Sequence, residues 1–166
     1  MSPGVRKLAL VTHVVCSVGW LGTIVAFLML AIAGLRTDDV EQARSAYLAM
    51  KLVAWSAIVP ASLAAFATGL IQSLGTSWGV FRHYWVIAKL LLTLLATAFL
   101  MLHIQVIDVA ADLARTMSSP VDLGTIRTQL VFDASAALAV LVVTTTLSVF
   151  KPRGLTRHGR RKQLVV

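Results

Sequence analysis

The stretch LALVTHVVCSVGWLGTIVAFLMLAIAGL, residues 8–35, decides the fold. It contains no Asp, Glu, Lys or Arg. The hydrocarbon core of a bilayer takes about 20 apolar residues in helix, and this run is longer. A signal peptide has an apolar region of only about 7–15 residues, so the run predicts a retained span, not a cleaved leader. Lipid does not explain one of its residues, His13. An ionisable side chain inside a span is a functional candidate by default.

On a helical wheel, His13, Cys16, Ser17, Trp20, Thr23, Ile24 and Phe27 share one face. Val14, Val15, Val18, Gly22, Val25, Ala26 and Met29 share the other. The first face is expected inside the protein and the second against lipid. Gly19 between them permits a close helix approach, and Gly22 offers a contact for a homo-oligomer.

Outward from this run the pattern repeats. Spans are expected at 8–35, 46–73, 84–107 and 128–150. The fold class is therefore all-α: an integral membrane four-helix bundle. Of the 166 residues, 58% are hydrophobic and 13% charged, far from the balance of a soluble domain. The formal charge is +8, and six of the 15 Lys and Arg residues lie in the 151–166 tail, which carries no acid. A basic tail beside a span is the positive-inside signal. The lead and the second loop also carry cations without acids, while the first and third loops hold the acids. Both termini are thus expected in the cytoplasm, with the chain a multi-pass protein of a cell membrane. No basic face with a reading element exists, so nucleic acid is not an expected partner. The one cysteine, Cys16, excludes an internal disulfide and reads as a small hydrophobe. No internal repeat stands out.

In span 2 an inward seam is expected through Tyr47, Lys51, Trp55, Ile58, Ser62, Ala65, Gly69 and Gln72, with a kink at Pro60. In span 3, Trp85, Lys89, Leu92, Thr93, Ala96, Leu100 and His103 share a face. In span 4, Gln129, Asp133, Ala137, Val140 and Thr144 do. Antiparallel threading then sorts the ionisable groups into two layers. His13 and Lys89 fall near the cytoplasmic side, with His83 at the boundary. Lys51, His103 and Asp133 fall near the other.

Each group has a plain reading beside a functional one. Lysines near helix ends snorkel to headgroups. His83 sits in an aromatic belt. Asp133 meets water or pairs with Lys51. His13 either hydrogen-bonds a neighbouring helix or ligates haem iron, for which imidazole is suited. His103 is the other imidazole available for ligation. It lies toward the opposite membrane face, so His13 and His103 do not clamp one iron. Metal motifs of the HExxH or CxxC type are absent.

Four short segments carry a resemblance. They are Leu8, Ala9 and Leu10 leading to His13 and then Gly19, Trp20, Leu21 and Gly22; Ile58, Val59 and Pro60 leading to Gly69; residues 85–91 (WVIAKLL); and Phe150, Lys151 and Pro152. Together they resemble the HemJ-type protoporphyrinogen oxidases and the related CopD-like membrane proteins. Residues 27–31 and 132–135 depart from that family's pattern. The resemblance implies haem b as cofactor, with His13 as its metal ligand. It implies a functional, catalytic Lys89 that pairs a propionate or an anionic substrate. Trp20 and Trp85 are then expected to wall the pocket. The activity it implies is oxidation of a porphyrinogen-like small molecule. The alternative is a non-catalytic membrane scaffold or regulator that binds partner helices. A role in copper handling is weaker. Met29, Met50 and Met101 share the outer half but lie off the inward stripes, whereas copper needs converging thioethers.

Overall fold

The computed structural model of the protein describes residues 2–75 and 83–150. The loop at 76–82 and the expected basic tail at 151–166 lie outside the described residues. Helix α1 spans Pro3–Arg36, with Pro3 in its first turn and the Ser2 hydroxyl accepting from the Val5 N–H. Asp39 caps α2, Val40–Val53: its Oδ1 accepts from the N–H groups of Glu41 (2.8 Å) and Gln42 (3.3 Å). A π-helical turn, Ala54–Ile58, joins α2 to α3, Val59–Gly75. Helix α4 is Tyr84–Thr116: beyond the span expected to end near residue 107 it extends, as expected, through Asp108, Asp112 and Arg115. A short 3₁₀ turn, Pro120–Leu123, leads into α5, Ile126–Phe150.

These helices form four candidate membrane spans, α2 and α3 together making one, and the fold is an all-α four-helix membrane bundle. Large apolar side chains such as Val15, Val18, Leu102 and Phe132 face outward. Lipid, not water, accommodates such a surface. With four spans, Ser2 and Phe150 lie at the same end of the bundle. Helix α1 packs against α2–α3 and α5, and α4 packs against the same two neighbours, so α1 and α4 are diagonal.

The kink expected at Pro60 takes the form of the π turn. Pro60 has no N–H to give to the carbonyl four residues back. The ladder slips there, and the Val59 N–H reaches the Ala54 carbonyl. The slip changes which residues face inward. Before it the buried row is Ala43, Tyr47, Met50 and Ala54; after it, Ile58, Ser62 and Ala65. Trp55, expected on the inward seam, is 51% exposed, and its Nε1 donates to Asp108 Oδ1 at 3.1 Å. Met50, expected off the seam, is 1% exposed. Lys51 pairs with Asp108 (3.1 Å) and Asp112 (3.6 Å) on α4, not with Asp133. At this partial exposure such pairs contribute at most about 1 kcal/mol.

Two arginines join the helices at the end remote from the termini. Arg44 on α2 donates from Nε to the Ala114 carbonyl (2.9 Å) and from Nη2 to the Met117 carbonyl (3.2 Å), both at the end of α4. Arg127 on α5 donates to the Gly34 and Leu35 carbonyls at the end of α1. The last carbonyls of a helix have no partner within it, and a guanidinium supplies one.

These two clasps expose a repeat that the residue pattern conceals. One constant offset along the chain relates Arg44 to Arg127 and Asp39 to Asp122. The same offset relates the buried Ile24, Phe27, Ala31 and Gly34 to the buried Ile107, Ala110, Ala114 and Met117. Each arginine holds the other half's copy of one carbonyl: Arg44 holds that of Met117, and Arg127 that of Gly34. The two halves of the chain, α1 with α2–α3 and α4 with α5, are thus clasped through equally spaced arginines.

Gly34 is required by close packing. A Cβ there would lie 2.9 Å from the Tyr47 ring, whereas Gly19 and Gly22 have open space around them. The close approach expected at Gly19 is therefore found at Gly34 instead. Gly34→Ala is expected to cost about 1–3 kcal/mol through overpacking. Gly19→Ala meets no neighbour and gains up to about 1 kcal/mol of helix propensity. Thermal unfolding in detergent, followed by far-UV circular dichroism, should place Gly34→Ala below the wild type and Gly19→Ala at or above it.

Candidate functional site

Along α1 the buried residues begin at Trp20; none lies between Pro3 and Gly19. The bundle is therefore less tightly packed at the end that holds Ser2 and Phe150. There a cavity of about 610 Å³ opens between α1, α3 and α4, with Ser148 of α5 at its edge. Its apolar wall includes Leu10, Val14, Phe66, Val86 and Leu90. Its charged groups are Arg6, Lys7 and Lys89, and no Asp or Glu lines it among the described residues.

His13 and Lys89, expected in one layer, meet in this cavity. Lys89 Nζ lies 3.4 Å from His13 Nε2. On the other side of the ring, His13 Nδ1 lies 3.0 Å from the Thr68 hydroxyl on α3. Thr68 has one hydroxyl proton, and it goes to the Ala64 carbonyl at 2.6 Å. Toward His13, Thr68 is thus an acceptor and Nδ1 is the donor. Lys89 as an ammonium has only donors, so Nε2 is an acceptor. Both neighbours assign the same form: a neutral ring with its proton on Nδ1 and its lone pair on Nε2.

The ring reaches this position because Gly69 makes room for it. A Cβ at Gly69 would lie 3.1 Å from His13 Cε1. One turn further along α3, Gln72 Nε2 donates to the Ala9 carbonyl at 2.8 Å, which ties α3 to the same stretch of α1. On α4 the Thr93 hydroxyl donates to the Lys89 carbonyl (2.9 Å), as threonines in helices commonly do. Thr68 escaped the sequence reading. Its signal was a hydroxyl beside Gly69, one of the few polar side chains of α3, but only the helix pairing shows which residue it serves.

The remaining expected site residues are distributed as follows. Trp85 lines the cavity and lies beside His83, with ring centroids 6.3 Å apart. Trp20 does not line the cavity. It is 3% exposed and belongs to the apolar core with Ile24 and Phe27, because it sits two turns deeper on α1 than His13. Its Nε1 has no hydrogen-bond partner among the described residues. His103 is remote from the cavity on the other half of α4. Its ring stacks on Phe99 (centroids 3.8 Å), and its Nδ1 lies 3.1 Å from the Phe99 carbonyl. Among the described residues no three His, Cys, Asp or Glu side chains gather as a metal cluster. His13 is the one imidazole that lines the cavity among the described residues. No family model, curated protein or solved structure matches the chain.

The tautomer is directly measurable. Nitrogen-15 spectra of labelled histidine should show His13 with its proton on Nδ1. Thr68→Val removes the acceptor at 3.0 Å and leaves Nδ1 only the neighbouring Ala65 carbonyl, which is expected to lower stability by about 1 kcal/mol. Thr68→Ser, which keeps the hydroxyl, should preserve both the tautomer and the melting temperature.

Proposed function

We propose that this small integral membrane protein binds haem b in the cavity, with His13 Nε2 as the axial ligand to iron. One observation carries the reading: an imidazole whose second nitrogen is anchored by Thr68 directs its lone pair into a cationic cavity that no acid lines among the described residues. Histidines that ligate metals characteristically have the other ring nitrogen held by a hydrogen bond, which fixes tautomer and orientation. The residues present fit the group. The apolar wall suits a macrocycle, and the volume falls within the roughly 300–1,000 Å³ usual for small-molecule sites. Lys7 lies six residues before His13, about 9 Å nearer the end of the bundle at the helical rise. Arg6 and Lys7 are thus at the depth where propionates would emerge, and charge-assisted bonds to carboxylates are among the stronger ones available.

In this reading Trp85 closes the rim, and neither Trp20 nor His103 takes part. Bound haem supplies one-electron chemistry. The protein's own residues hold the ring, set the ligand's basicity through Thr68 and present cations to acidic substituents. Oxidation of a porphyrinogen-like substrate, with Lys89 contacting it, rests on the family resemblance. The Lys and Arg excess of the lead and tail supports a cavity that opens toward the cytoplasmic face of a cell membrane.

Spectra of the oxidised and dithionite-reduced protein, purified in detergent after expression with haem available, test this. The wild type is expected to show a Soret band that shifts on reduction, and His13→Ala to lose most of it. A wild type that stays colourless after titration with haem would overturn the haem reading and leave a membrane bundle with a cationic cavity.

A further inference from the structure

The His13 lone pair has one occupant among the described residues. Lys89 Nζ lies against Nε2 at 3.4 Å, and the Thr68 anchor prevents the ring from offering Nδ1 instead. A lone pair accepts one strong partner at a time. We infer that Lys89 is a displaceable cap on His13 Nε2, so that any Lewis acid taking that nitrogen must first break the His13–Lys89 hydrogen bond. For the identity of the natural ligand the inference rests on the haem reading; for the cap itself it rests on geometry alone.

The cap has a mechanical basis. The Lys89 backbone is fixed in α4, and the Thr93 hydroxyl already occupies its carbonyl. Only the long side chain needs to move, and it has rotamers available within the cavity that it lines. No carboxylate lines that cavity among the described residues, so the chain offers the displaced ammonium no anionic partner there. An anionic substituent on the incoming ligand would fill that role. A ligand that carries both a Lewis acid and a carboxylate would then exchange both partners of Lys89 in one event. A ligand with only one of these would leave either the lone pair or the ammonium unmatched. The cap thereby selects for ligands that bear both groups.

The test uses the full-length protein in detergent and two independent probes. Diethylpyrocarbonate acylates an accessible imidazole lone pair, and peptide mass mapping resolves His13 from His103, which serves as the internal standard. In Lys89→Met, which keeps the length but has no donor, His13 carbethoxylation is expected to rise about tenfold, the scale of one ordinary hydrogen bond. Lys89→Arg, which retains a donor, should restore protection. Neither variant should change His103.

The second probe is the affinity ratio of ferric haem to metal-free protoporphyrin IX, each bound as the free acid to establish binding and as the dimethyl ester for the ratio. The esters carry no carboxylate, so loss of the Lys89 charge removes no ion pair from either. Only the iron competes for Nε2, and the ratio is expected to rise about tenfold in Lys89→Met. Unchanged His13 carbethoxylation in Lys89→Met overturns the cap, whatever the porphyrins do. Carbethoxylation that rises in a protein binding neither porphyrin upholds the cap and removes the haem reading. Carbethoxylation that rises while both porphyrins bind with an unchanged ratio upholds the cap and removes His13 as the axial ligand.

Discussion

Two guanidiniums hold the distal end of this bundle together, and the open site at the other end depends on them. In a bilayer the association of helices has little hydrophobic driving force, because lipid tails are as apolar as leucine. Unpaired carbonyls at a helix end are costly in that setting. Arg44 and Arg127 satisfy such carbonyls across helices, on α4 and α1 respectively. Around them the small residues Ala31, Ala43, Ala110 and Ala114 let backbones approach, and Tyr47 fills the space over Gly34. The proximal ends of the helices are then free to diverge, and the space between them is the cavity.

Within that space, polar chemistry is concentrated on three helices. Thr68 and Gly69 on α3 receive the His13 ring of α1, and Lys89 on α4 closes its other edge. Each contact constrains one atom of the ring: a proton on Nδ1, a lone pair on Nε2, a close backbone beside Cε1. Such a ring is held with its Nε2 toward Lys89 and the cavity, the orientation that the proposed ligand role requires.

The sequence was most informative where lipid imposes a rule and least where it does not. Span number follows from apolar length, and the layer shared by His13 and Lys89 follows from antiparallel threading. The inward face of α1 was legible because polar and aromatic residues mark it. In the middle spans nearly every residue is apolar, and apolar residues suit lipid and core equally. Hence Trp55 and Met50 exchange their expected environments: a one-residue slip at the π turn reverses them, and no hydropathy pattern records it. Lys51 finds Asp108 because α2 packs against α4, a neighbour that the pattern of one span does not reveal. The roles of Thr68 and Gly69 depend on which helix lies opposite, information that a single span does not carry.

That the two hairpins belong to one chain has its own consequence. A two-span hairpin begins and ends on one side of the membrane, so a tandem copy inserts with the same orientation and needs no rethreading. Arg6 and Lys89 stand at equivalent positions of the two halves, and both line the one cavity. The equivalent of His13, however, is Ala96. Two identical hairpins paired about an axis would have to present two histidines or none. A solitary imidazole between the halves is available only to a single chain whose two hairpins differ in sequence. Covalent linkage is what permits the site to be one-sided.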